Sequence, residues 1–175
     1  VTKTGKYGAA IPVPSPVSTG KTLSGWSPAL ASSPTYPEED KSYTAQWSIN
    51  SYSVTYRVVN GQGGSIKADS GSSTTSSSTV SVTHGANVNF TATPAEGWEV
   101  DRWSGNVTVT SPTDKKKATL SNVIGAKEVT VAFVRKTHNV KFSVEGGTGG
   151  KLKATYNGAA KTATGNTVET LTVNN

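Results

Sequence analysis

Apolar and polar residues alternate along several short segments of the chain, which is the pattern of strands with one buried face. The segment SVTYRVVNGQGGSIKA, which begins at Ser53, places a glycine-rich stretch between two alternating runs. This pattern predicts a β-hairpin with its turn at Gly63 and Gly64. Further alternating segments are ANVNFTAT, KKATL and KEVTVAFV. The order of these segments predicts a strand-rich module rather than a helical one.

The alternating segment is repeated later in the chain. NVKFSVEGGTGGKLKA begins at Asn139, 86 residues after the start of the first copy at Ser53. The register places Val54 over Val140 and Ile66 over Leu152, and it also aligns the paired glycines. Such internal similarity is typical of proteins built from tandem modules. We therefore predict a second, related module after the first.

Three modules are predicted. The repeat assigns residues 51–136 to a complete module and residues 137–175 to the first hairpin of a truncated third one, whereas residues 1–50 differ from both. The first fifty residues contain six prolines, which exclude continuous central strands there, and Ser42 to Trp47 is their clear strand. Because the chain starts at Val1 and contains no Met, it is expected to be a piece of a longer protein.

Composition supports a mainly β fold made of small modules. The chain is rich in Ser, Thr, Val and Gly, and apolar residues make up only 33% of it, which favours several small cores in an elongated array. The absence of cysteine excludes disulfides, thiolate metal sites and cysteine nucleophiles. We find no segment that resembles a signal peptide or a membrane span, so no membrane insertion is expected within this piece.

Two polar runs are interpreted as loops. The Ser/Thr-rich run from Ser70 to Ser81 has the low complexity of a mobile loop. The basic run at Lys115, Lys116 and Lys117 is interpreted as a solvated loop before a strand that begins at Ala118. The net charge of +6 is otherwise spread along the chain without interleaved aromatics, so we expect no nucleic-acid partner.

Catalytic and metal-binding residues are not predicted. The two histidines, His84 and His138, have no acidic neighbours at metal-ligand spacing, and no G-x-S-x-G motif is present. The consecutive acids from Glu38 to Asp40 lie in a proline-bounded stretch and are interpreted as a solvated turn. The sequence therefore predicts a protein that is not an enzyme and that uses no cofactor and no metal.

The four tryptophans raise an alternative function. Exposed aromatic rings could form a platform on which sugars stack, which would make the chain a carbohydrate- or mucin-binding module. Trp26, Trp47 and Trp103 are expected to fill small cores instead. Trp98 follows a proline-containing turn, so it is the one candidate ligand contact, although we expect it to be partly buried.

The motifs of the first fifty residues resemble the Listeria-Bacteroides repeat, also called the internalin-type B-repeat. They are Tyr7-Gly8, Pro14, Gly20, Gly25-Trp26 and the closing segment Tyr43 to Trp47. The resemblance implies that residues 1–50 are a B-repeat module that lacks its first strand. The next module resembles the divergent form of the same repeat. Its motifs are Gly63-Gly64, the segment Gly85 to Trp98, Trp103 to Gly105, and Val129 to Phe133.

This resemblance implies β-grasp-like or all-β units strung in tandem in exported bacterial proteins. It implies structural, spacer and interaction roles at the cell surface or in a secreted protein, with support of adhesion, and it implies no catalytic residues. The expected partners are neighbouring modules of the same parent protein, together with a host glycan or host protein.

Overall fold

A computed structural model describes residues 2–143, 151–156, 159–164 and 168–174. These residues form strands and one 3₁₀ turn at Val59–Gly61, with no α-helix among them, so the predicted all-β class is confirmed. The strands are β1 (Lys21–Ser27), β2 (Thr44–Ile49), β3 (Ser51–Val58), β4 (Gly64–Ala68), β5 (Ser73–Thr74), β6 (Ser77–Thr83), β7 (Val88–Pro94), β8 (Trp98–Ser104), β9 (Thr108–Val109), β10 (Lys117–Leu120), β11 (Lys127–Arg135), β12 (Thr137–Ser143), β13 (Lys151–Tyr156), β14 (Ala159–Thr164) and β15 (Val168–Asn174).

Strands β3 to β11 form a sandwich of two sheets. One sheet has the strand order β6-β3-β11-β8, and the other has the order β5-β4-β7-β10-β9. The pairing of β3 with β11 is parallel, and the other pairings in the sandwich are antiparallel. Strict alternation along β7, where Val88, Phe90 and Ala92 are buried, shows that one face of the strand points inward and the other outward.

The core lies between the two sheets and contains apolar side chains from both. Val54 and Val129 come from the first sheet, whereas Ile66 comes from the second, and all three are fully buried. The rings of Tyr56 and Phe90 meet across the core with their centroids 5.8 Å apart. Because this sandwich encloses a continuous apolar cluster, burial of apolar surface is its main source of stability.

The hairpin predicted from Ser53 to Ala68 is wrong. Its two alternating runs form β3 and β4, but these strands lie in opposite sheets and pair with other strands. The connection crosses from one sheet to the other through Asn60, Gly61 and Gly63, which all have positive φ. Periodicity alone cannot distinguish this crossing from a hairpin, because both arrangements bury the same side chains.

The Ser/Thr run predicted as a mobile loop is also partly wrong. Ser73 and Thr74 of this run form β5, and its last residues belong to β6. In β6, Val80 and Val82 point into the core and the hydroxyl residues point outward. The turn before β5 is fixed by a hydrogen bond of 2.6 Å from the Tyr56 hydroxyl to the Ser72 carbonyl. Low sequence complexity here reflects the polar outer face of an edge strand.

The first part of the chain contains an antiparallel pair, β1 and β2. β1 was not predicted from the sequence, and the strand predicted at Ser42 to Trp47 begins two residues before the observed β2. None of residues 2–50 is buried. This hairpin therefore has one half-covered face rather than a closed core.

The third part contains two antiparallel pairs, β12 with β15 and β13 with β14. Val140 is 48% exposed and Leu152 is 43% exposed, whereas their repeat equivalents Val54 and Ile66 are 0% exposed. The repeat pattern is thus the same, but the burial differs. The predicted glycine-rich turn that contains Gly149 and Gly150 lies outside the described residues.

Single residues connect the three parts. Only Asn50 separates β2 from β3, and only Lys136 separates β11 from β12. The Asn50 amide donates to the Gly20 carbonyl (2.9 Å), and the Asn50 carbonyl accepts from the His84 amide (2.8 Å). The Lys136 amide donates to the Gly97 carbonyl at 2.9 Å. Both connections are therefore bonded to the sandwich rather than free.

Candidate functional site

Trp98 is the first residue of β8, at the edge of the sandwich. It follows the turn that leaves β7, and its backbone pairs with Arg135 in β11. Its side chain is half-buried. The turn is closed by a hydrogen bond of 3.0 Å from the Trp98 amide to the Ala95 carbonyl. The proline-containing turn that singled out this residue in the sequence thus places it at the rim.

The Trp98 indole is contacted by the protein on more than one side. The guanidinium carbon of Arg135 lies over the ring, 4.8 Å from its centroid. Gly63 packs against the same indole so closely that a Cβ atom there would lie 2.5 Å from Cε3. A sugar that stacked on the Arg135 side would have to displace a cation–π contact worth about 0.5–1 kcal/mol at an exposed site.

Few other recognition groups line the surface next to Trp98. A shallow depression of about 370 Å³ lies beside the connection between β3 and β4, and its lining includes Gly63, Ser65, Thr93 and Pro94. It has no charged or aromatic side chain in its lining. The assignment of Trp98 as a ligand contact therefore stays a prediction.

Trp103 has a different environment on the same strand. It packs against the apolar core, and its ring centroid lies 6.4 Å from that of Phe90. Its indole N–H donates to the Lys115 carbonyl at 2.7 Å, while the Lys115 ammonium donates to the Asp101 carbonyl at 2.9 Å. The basic run interpreted as a solvated loop thus includes one lysine that holds β8 in place, which sequence reasoning missed.

The aromatic pairs of the sandwich do not form a flat platform. The ring pairs Tyr52–His84, Tyr56–Phe90 and Phe90–Trp103 are tilted by 51°, 57° and 48°. Trp26 and Trp47 lie on the β1–β2 hairpin and are half-buried, and Trp26 lines a cleft there. A stacking surface of two coplanar rings is therefore not made by these three pairs.

His84 lies where the first part of the chain meets the sandwich. Its Nδ1 is 3.3 Å from the Tyr52 hydroxyl, and Gly20 packs directly against its ring. Within the described residues, no group of three or more His, Asp or Glu side chains is arranged to hold a metal ion. No helix in the described part of the chain has the length and apolar character to span a membrane.

These observations define an all-β sandwich module. Only one residue on each side connects it to the neighbouring strand pairs. Residues 52–137 match the family of the divergent InlB B-repeat domain. This match confirms the resemblance of the central part of the chain to the divergent form of the B-repeat. This family is typical of bacterial surface proteins. Comparison with curated proteins and with solved structures gives no match.

Proposed function

We propose that the chain is a non-catalytic spacer and interaction segment of a bacterial cell-surface or secreted protein, and that it supports adhesion. The family of the central domain supports a surface repeat. In this role, tandem modules hold other parts of the parent protein away from the cell envelope. Stability then comes from each module and from the contacts between neighbours.

The observation that carries this proposal is the pair of single-residue connections at Asn50 and Lys136. Flexible linkers allow modules to move independently, whereas a connection of one hydrogen-bonded residue restricts their relative orientation. At the first connection a side-chain bond adds to the backbone bonds, because the Thr22 hydroxyl donates to Oδ1 of Asn50 at 2.7 Å. Restricted joints are what a spacer requires.

The outward faces of the sandwich also fit a spacer in an aqueous environment. The outer face of β3 and β6 carries Thr55 and Thr79, whose hydroxyl oxygens are 3.4 Å apart. On the same face Arg57 forms an ion pair of 2.5 Å with Glu128 of β11. These polar faces favour solubility and leave the ends of the module as the natural contacts for neighbouring modules of the parent protein.

The absence of catalysis is part of the proposal, and the sequence supports it because no G-x-S-x-G motif is present. The surroundings of His84 support it as well. His84 contacts Tyr52 and Gly20 rather than a serine or an acid. The proposal includes no cofactor and no nucleic-acid partner. A host glycan or host protein would be recognised in addition to the spacer role.

Spin-label distance measurements test the spacer role, because the chain has no native cysteine to interfere. Labels are attached after Gln46→Cys in β2 and Thr79→Cys in β6, which are both exposed positions. We expect a narrow distance distribution in the parent chain and a broad one after insertion of Gly-Ser-Gly behind Asn50.

The matched control is the same insertion after Ser32, in an exposed segment that does not connect the two labelled parts. It should leave the distribution narrow. A parent chain that gives a distribution as broad as the Asn50 insertion would contradict the proposal, because its modules would then move independently.

A further inference from the structure

The first part of the chain contains a cleft of about 530 Å³ at one end of the β1–β2 hairpin. This volume is within the roughly 300–1,000 Å³ typical of small-molecule sites. Three aromatic side chains line it: Trp26 from β1, Tyr43 from the residue just before β2, and Tyr36 from the loop between the two strands. All three are half-buried, so parts of their rings face solvent.

Backbone geometry fixes the positions of these rings. Trp26 pairs with Ala45, and Tyr43 lies two residues before Ala45, so Trp26 and Tyr43 share one face of the hairpin. Tyr36 is held by two backbone bonds: its amide donates to the Ala9 carbonyl (2.9 Å), and its carbonyl accepts from the Gly8 amide (3.0 Å). The aromatic groups are therefore presented by paired backbone rather than by a free loop.

The Tyr36 ring also packs directly on the backbone of Gly5, where no side chain intervenes. Through this contact, the N-terminal segment and the β1–β2 loop together form one wall of the cleft. The acidic segment that follows Pro37 also lines the cleft. A ligand in the cleft would thus touch three different segments of the first part.

Charged groups of both signs line the cleft in equal number. Lys3 and Lys41 supply two cations, and Glu39 and Asp40 supply two carboxylates. Hydroxyl groups of Thr2, Thr4 and Ser42 add further donors and acceptors. Since the formal charges cancel, the lining favours a neutral ligand with many hydroxyl groups over an anion or a lone cation.

We propose that this cleft binds a neutral oligosaccharide. The apolar faces of the sugar rings pack on Trp26, Tyr36 and Tyr43, because these faces carry C–H groups that aromatic rings bury well. The sugar hydroxyls donate to the carboxylates of Glu39 and Asp40 and accept from the ammonium groups of Lys3 and Lys41. This site rests on the glycan recognition that the proposed function includes and names a place for it, in a different part of the chain from Trp98.

The test is a glycan array of neutral hexose and N-acetylhexosamine oligosaccharides, followed by calorimetric titration of the full chain with the strongest binder. Glu39→Gln together with Asp40→Asn should weaken binding at least tenfold, because both acceptors lose their charge. Glu38→Gln is the matched control: Glu38 is the exposed neighbour and does not line the cleft, so affinity should not change. These near-isosteric changes leave the backbone pairing of the segment intact.

Tryptophan fluorescence identifies the site independently. The change in emission on adding the sugar should disappear in Trp26→Phe and persist in Trp98→Phe. The proposal is overturned if no neutral oligosaccharide binds at millimolar concentration, or if choline or heparin binds more tightly than any neutral sugar. It is also overturned if Trp98→Phe removes the signal and the Glu39 and Asp40 changes have no effect. None of these outcomes alters the spin-label result, so the two proposals fail separately.

Discussion

Gly63 and Trp98 are in direct contact at the edge of the sandwich. A Cβ atom built on Gly63 would lie 2.5 Å from Cε3 of the indole and 2.6 Å from Cβ of Phe133. The contact brings the connection between β3 and β4 against β8, which belongs to the same sheet as β3. It therefore joins the crossing between the two sheets to the strand that carries the candidate ligand contact.

Gly63→Ala should destabilise the sandwich more than Gly61→Ala. Both glycines have positive φ, 86° and 61° respectively, so alanine at either position costs about 1–2 kcal/mol of backbone strain. At Gly63 the added methyl must also displace Trp98 or Phe133, and overpacking of this kind costs a further 1–3 kcal/mol or so. Urea unfolding followed by fluorescence measures both variants, and equal losses of stability would show that the Gly63 contact is not tight.

Tyr56→Phe should loosen the turn before β5. Tyr56 is fully buried, and its hydroxyl donates to the Ser72 carbonyl at 2.6 Å. Loss of one such bond costs about 1 kcal/mol of unfolding free energy. Hydrogen exchange of the amides between Asp69 and Ser76 should accelerate, whereas Ser72→Ala, which keeps the carbonyl, should not have this effect. Unchanged exchange in Tyr56→Phe would mean that the bond does not order the turn.

Repeat-equivalent core positions should respond differently to truncation. Ile66 is 0% exposed, and Ile66→Ala should lower the unfolding free energy of the sandwich by about 2–5 kcal/mol. Leu152 occupies the same repeat position but is 43% exposed, so Leu152→Ala should change it by less than about 0.5 kcal/mol. Urea unfolding monitored at Trp98 and Trp103 compares the two. A large effect of Leu152→Ala would indicate that the third part packs on the sandwich.

The sequence predicted which residues face the core but not how the strands pair. Alternation through Val54, Tyr56 and Ile66 identified fully buried side chains. The pairing of β3 with β11 joins residues more than seventy positions apart, and local patterns contain no information about such a contact. For the same reason a sheet-to-sheet crossing was mistaken for a hairpin.

The same holds for the candidate sites: their local features could be predicted from the sequence, but contacts between distant segments could not. The rim position of Trp98 follows from its place after a turn, which the sequence displays. The contact of Arg135 with that ring depends on strand pairing and could not be predicted. In the first part, the acids from Glu38 to Asp40 were interpreted as a solvated turn, because no local pattern shows that Trp26 and Tyr36 lie around the same cleft.

The joint between the first part and the sandwich should open when Gly20 acquires a side chain. Gly20 has a φ of 68° and packs directly against the His84 ring, so a methyl group there must displace that ring from the joint or push the two parts away from each other. Gly8→Ala is the matched control, because Gly8 has a φ of 78° and no other residue within 4 Å of the added Cβ.

Amide ¹⁵N relaxation measures this effect as the rotational correlation time of each part. In the parent chain and in Gly8→Ala, amides of β1 and β2 should tumble with those of the sandwich, since the Asn50 bonds hold the parts together. In Gly20→Ala the correlation time of the hairpin should fall below that of the sandwich. If Gly20→Ala left both values equal, the contact with His84 would not control the joint, and the Asn50 hydrogen bonds alone would have to account for its rigidity.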